Sequence, residues 1–277
     1  MPFLHIVILA VVQGATEFLP ISSQGHLLLT DAVLLRLDII EALPPPETQL
    51  TMLVAVHVGT LGAVLLYFWR DLWDMGLGLA RLTWGRRDPG VRLAGFLVLA
   101  TVPAVAAGYL LDRYYPSGIR GLEVIAWTTL GFGILLYLAD KLGMTVRRIE
   151  HLRLGDVLII GFAQVLALIP GTSRSGITMT AARFLGLERR EAARFSMLLA
   201  IPVIVGAGSL KGWQLYQSGD ARLTSDALLS AGLAFAMALI AIAALMAWLK
   251  RSSFTPFVLY RIFLGGFLLT AVYGWVG

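Results

Sequence analysis

Long apolar runs alternate with short polar breaks along the chain, and six runs are long enough to cross a bilayer. A spanning helix needs about 20 mainly apolar residues. Windows 50–69, 92–111, 121–139, 227–249 and 257–276 supply them plainly, and 195–213 is nearly as long. Two further apolar regions, 3–37 and 155–187, are each broken near the middle by a proline followed by small hydroxyl residues, in the strings LPISSQGH and IPGTSRSGIT. Each half is too short to cross. Backbone that leaves a helix at membrane depth needs protein or a water-filled cavity around its amides, so both regions are predicted to be re-entrant helix-turn-helix hairpins.

The two halves of the chain also resemble each other. Leu50-Thr51-Met52-Leu53-Val54-Ala55-Val56 matches Phe195-Ser196-Met197-Leu198-Leu199-Ala200-Ile201, and Pro20 matches Pro170. Residues 1–150 and 151–277 therefore each read as one hairpin plus three spans. An odd number of spans inserts the second copy upside down. The predicted fold is an all-α polytopic membrane protein with an inverted-topology repeat, whose hairpins enter from opposite faces and meet near the midplane.

Loop charge sets the orientation. Arg70, Arg81, Arg86, Arg87 and Arg92 join the first two spans, and Lys141, Arg147, Arg148 and Arg153 follow the third. Basic loops stay on the cytoplasmic side. Arg189, Arg190, Arg194, Lys250 and Arg251 then fall inside as well, with both termini outside. By the same reasoning Gly85 lies inside and Ser117 outside.

Composition supports lipid as the main solvent: 58% of residues are apolar and 14% charged, with a mean hydropathy of +0.80. The net charge of +5 comes from short basic clusters between apolar runs, not from a basic stripe with interleaved aromatics, which argues against nucleic acid. With no cysteine, disulfides, thiolate metal sites and cysteine nucleophiles are excluded. Met1 to Ala15 has the apolar character of a signal-peptide core, but no Lys or Arg precedes Arg36, so this segment is expected to be retained.

Against this apolar background a few polar residues stand out. Glu17 falls near the predicted midplane, where an ionised carboxylate is expensive unless it is paired or bound to a cation. Gln13 is one helical turn earlier on the same face. Together they offer a carboxylate and an amide oxygen, a set that water and substrate phosphate oxygens can complete around Mg²⁺ or Ca²⁺. Ser22 and Ser23 follow Pro20, and His26 comes a turn later. Either serine can serve as nucleophile with His26 as acid or base, or Ser22 can simply cap a helix. Arg174 sits among Ser173, Ser175, Gly176 and Thr178 at the start of a half-helix. A permanently charged guanidinium beside free backbone N–H groups describes a phosphate cradle; the plainer reading is a strut between Arg174 and Glu17. His57, within a span, is expected to line an internal cavity rather than to act directly. Arg261, near a cytoplasmic helix end, is expected to snorkel.

These strings resemble those of a known family. QGATEFLPISSQGH is similar to the [E/Q]xxxE box and SSxGH segment of bacterial undecaprenyl-diphosphatases, and PGTSRSGIT to their PGxSRSxxT box. The resemblance covers nearly the whole chain. It implies a multi-pass protein of the bacterial inner membrane with inverted repeats. It also implies a cation-dependent hydrolysis of undecaprenyl diphosphate to the monophosphate at the outer side, recycling the carrier lipid for cell-wall synthesis and conferring bacitracin resistance. Glu17, Ser23, His26 and Arg174 then fill the catalytic positions; Ser22, Ser173, Arg174, Ser175 and Thr178 the phosphate-binding ones; and Gln13 and Glu17 those of the metal. Expected partners are the prenyl diphosphate and membrane lipids, with a homodimer left open. The competing class is a transporter or flippase of a prenyl phosphate or phospholipid, because facing broken helices also build transporters.

Overall fold

A computed structural model describes residues 2–82, 88–115 and 121–274; Gly85, Arg86, Arg87 and Ser117 lie outside them. Twelve α-helices run through the described residues: α1 (Phe3–Thr16), α2 (Ser23–Arg36), α3 (Pro46–Tyr67), α4 (Trp69–Leu82), α5 (Pro89–Tyr114), α6 (Leu122–Leu142), α7 (Leu154–Val165), α8 (Arg174–Phe184), α9 (Arg189–Leu198), α10 (Ala200–Ser218), α11 (Ala221–Trp248) and α12 (Thr255–Val272). Six segments are long and apolar enough to cross a membrane: α3, α5, α6, α9 with α10, α11 and α12. They coincide with the six expected spans.

Both interrupted regions fold as pairs of short helices, α1 with α2 and α7 with α8, each pair in mutual contact. Their turns share a local design. Ser22 and Ser173 adopt left-handed backbone at φ 72° and 69°, and a helix starts at the next residue, Ser23 or Arg174. Their surroundings correspond too: α1 packs on α11 and α7 on α5. Each contact runs over a glycine. A Cβ on Gly14 would lie 2.6 Å from the Ala234 carbonyl oxygen, and one on Gly161 would lie 2.8 Å from that of Ala100, so larger residues would push the helices apart.

One segment departs from expectation. Residues 69–82, read as part of a charged loop, form the amphipathic helix α4, with Met75 and Gly78 buried and Trp69 and Trp73 exposed. The α5 helix that follows is capped by Asp88, whose carboxylate accepts from Gly90 N at 2.9 Å and Arg81 at 2.9 Å. These donors hold the Asp88 carboxyl below its ordinary range.

The largest apolar core surrounds α8, whose residues Ser175 to Arg183 are all buried. Leu152, Leu187, Phe195 and Phe254 pack in that core. A buried Asp140 on α6 anchors α8 and α9 there, accepting from Arg183 Nε at 3.2 Å and Arg189 Nε at 2.7 Å. Removing either partner of such a pair would leave a charge uncompensated, so this end of the second hairpin is held firmly and its tip is delivered to a fixed place.

Candidate active site

The two hairpin tips meet. Glu17, at the end of α1 and 8% exposed, is the point where they join. Its Oε2 accepts from Gln13 Nε2 at 2.7 Å and Ser23 Oγ at 2.8 Å, while its Oε1 accepts from Arg174 on the opposite tip at 3.1 Å. The His57 Nε2 atom of α3 lies 3.5 Å from Oε2, and its Nδ1 is 2.7 Å from the Leu53 carbonyl. A buried carboxylate costs several kcal/mol unless its lone pairs are used; here donors from three helices surround it.

These groups open onto a cavity of about 280 Å³, lined among others by Gln13, Glu17, Ser23, His57, Ser173 and Arg174. Ser22 lines it as well. Two buried polar atoms of the lining have no hydrogen-bond partner, Gln13 Oε1 and one terminal nitrogen of Arg174. A guanidinium with one nitrogen on Glu17 and the other unpaired is a strut with donor capacity to spare.

Other predicted site residues take supporting places. Ser22 makes no side-chain cap, whereas Ser173 does, accepting from Gly176 N at 3.1 Å. Ser175 points at the opposite tip: its Oγ donates to the Leu19 carbonyl at 3.0 Å. Thr178 is turned into the protein, 2.7 Å from Ser196 Oγ and 2.8 Å from the Arg174 carbonyl, and does not line the cavity. His26 is also off the cavity. It sits on the face of α2 toward α12, with Nδ1 2.7 Å from the Ser22 carbonyl and Nε2 2.5 Å from Tyr260 Oη, its ring stacked on that tyrosine.

Arg261 corrects an expectation outright. It does not snorkel; it is fully buried and donates to backbone carbonyls of both tips and of α6. The acceptors include Pro20 at 3.3 Å, Gly171 at 3.1 Å, Thr172 at 3.0 Å and Thr129 at 3.0 Å. Carbonyls freed where the two hairpins break are thereby satisfied by one side chain. Gly171, at φ +87°, packs so closely on α6 that no side chain would fit. Nothing in the sequence near Arg261 or His57 announces these contacts, because their partners lie in distant elements.

The fold and site define a polytopic α-helical membrane protein whose buried acid, hydroxyl and guanidinium converge on one polar cavity from two broken hairpins. The family model described as Bacitracin resistance protein BacA matches residues 6–267, and the chain belongs to that family. It is 52% identical to undecaprenyl-diphosphatase 1 of Rhodospirillum rubrum, over 99% of this chain and 96% of that protein. It is 46% identical to the undecaprenyl-diphosphatase of Ruegeria pomeroyi, over 99% and 100%, and 47% identical to that of a Jannaschia species, over 96% and 97%.

Proposed function

We propose that this protein hydrolyses undecaprenyl diphosphate to undecaprenyl phosphate and phosphate in the bacterial inner membrane. The observation that carries this reading is Glu17, which receives the Ser23 hydroxyl on one oxygen and Arg174 on the other at the edge of a single cavity. The names of the relatives give the substrate. A second, apolar cavity of about 170 Å³ between α1, α2 and α3 shares Gln24, Leu27 and Leu53 with the polar one, so the lining suits a molecule with a charged head and a hydrocarbon tail.

In this reading Arg174 binds the terminal phosphate and neutralises its charge. Ser23 Oγ attacks that phosphorus in line and passes its proton to Glu17. The bond to the bridging oxygen breaks and prenyl monophosphate leaves; water then releases phosphate from the serine. Such catalysis is chiefly positioning and charge stabilisation. Gln13 and Glu17 are the residues that would hold a divalent cation, and the unpartnered Gln13 Oε1 fits that assignment. When bound, Mg²⁺ or Ca²⁺ supplies further positive charge to the phosphate oxygens.

The matching turns at Ser22 and Ser173, and the matching pairs α1 with α11 and α7 with α5, support an inverted repeat. With the basic loops inside, hairpin α1–α2 enters from outside and carries Glu17 and Ser23 into the cavity from that side. The serine nucleophile and its phosphoryl intermediate set this reading apart from a flippase. The test is phosphate release from undecaprenyl diphosphate by the purified protein in detergent: stoichiometric phosphate with formation of the monophosphate is expected, and a protein that binds the lipid but releases none would belong to the transport class.

A further inference from the structure

The geometry points to His57 as the third protein ligand of the cation held at Glu17, an inference that rests on the cation reading above. A carboxylate and one amide oxygen are a sparse donor set, and among the described residues no cluster of three His, Cys, Asp or Glu forms a ready-made site. His57 adds an imidazole to that pair. It enters the cavity from α3, an element separate from the hairpin that carries Gln13 and Glu17. Its Nδ1 is tied to the Leu53 carbonyl at 2.7 Å, which holds the ring so that Nε2 is the nitrogen turned toward Glu17. Histidine ligands are commonly oriented in this way, by a backbone carbonyl on the other nitrogen.

Nε2 lies 3.5 Å from a carboxylate oxygen, Glu17 Oε2. With Nε2 unprotonated, these two acceptors repel each other unless a positive centre lies between them. Donors held about 2.1 Å from one ion lie about 3.4 Å apart in a tetrahedral arrangement and about 3.0 Å apart in an octahedral one. The observed spacing is close to the tetrahedral one and admits a single ion bound by both atoms. The third donor is at hand: Gln13 lines the same cavity, and its Oε1 is buried without a partner. A carboxylate, an amide oxygen and an imidazole then converge from α1 and α3, with room in the cavity for phosphate oxygens to complete the shell. An imidazole in the set shifts preference from Mg²⁺ and Ca²⁺ toward first-row transition cations.

The test uses the full-length protein in detergent, stripped with chelator and titrated with Mn²⁺ and Mg²⁺, with pulsed electron paramagnetic resonance on the bound Mn²⁺. Wild type is expected to bind Mn²⁺ at least about tenfold more tightly than Mg²⁺ and to show imidazole nitrogen coupling. His57→Ala should lose both the coupling and the Mn²⁺ preference while its Mg²⁺ affinity stays within about threefold. His57→Gln, which retains a polar side chain of similar reach, should also bind without nitrogen coupling and guards against a folding defect in the alanine variant. Glu17→Gln should lose both cations. Nitrogen coupling that persists in His57→Ala, or its absence in a wild type whose binding depends on Glu17, would overturn the role of His57. Wild-type affinity in Glu17→Gln, or no binding of either cation by wild type, would remove the cation site itself.

Discussion

Arg261 on α12 donates to the carbonyl of Gly171, at the tip of the second hairpin, across 3.1 Å. The same side chain also reaches Pro20 at the first tip, so it locks the two breaks together from behind the cavity. Each buried carbonyl left without its donor costs about 1–3 kcal/mol. Arg261→Lys, with fewer donors and no planar fork, should therefore lose about 2–4 kcal/mol of stability, read as a lower thermal midpoint in detergent. Stability equal to wild type would restore the snorkelling reading.

Thr178 tests which face of α8 matters. Thr178→Val keeps the shape but removes the hydrogen bond to Ser196, a loss of about 1 kcal/mol. The apparent KM for the lipid diphosphate should stay within about twofold of wild type, because this hydroxyl lies off the cavity. A large rise in KM at unchanged stability would place it on the phosphate instead.

The orientation can be read in intact cells, since the chain has no cysteine of its own. Gln217→Cys lies in the last turn of α10, just before α11, and Lys250→Cys lies between α11 and α12. A membrane-impermeant thiol reagent should label the first from outside and the second only after the membrane is opened. The reverse pattern would invert the topology; labelling of both from outside would mean that α11 does not cross.

Much of this architecture was legible from hydropathy alone, because length and apolar content decide whether a helix spans. Pro20 and Pro170, each followed by small hydroxyl residues, likewise disclosed the two breaks. The α4 helix escaped notice because its charged and apolar residues lie on different faces, a pattern that reads as a mixed loop when counted linearly. The site was partly legible: Gln13, Glu17, Ser23 and Arg174 do converge. Ser175 and Thr178 share their motif but face inward, since neighbouring residues on a helix point in different directions. Distance from a helix end indicates the depth of Arg261, not whether it faces lipid or protein. His57 needed its partner on α1 to be known.

Arg174→Lys should keep its fold yet lose about 100-fold or more in kcat/KM, because a point charge cannot hold Glu17 and a phosphate oxygen at once as a fork does. The check is phosphate release alongside the thermal midpoint. Near-normal turnover would remove the phosphate clamp.

The central claim is that Glu17 and Arg174, brought from opposite tips, act on one phosphate. A double-mutant cycle on kcat/KM for phosphate release from undecaprenyl diphosphate, with Glu17→Gln, Arg174→Lys and the double variant, measures it directly. Each single change should cost about 100-fold or more, or about 2.7 kcal/mol of transition-state stabilisation. The double variant should fall no more than about tenfold below the worse single, since groups that act as a unit are lost together. Losses that multiply to about 10⁴-fold would show two independent roles and contradict the account.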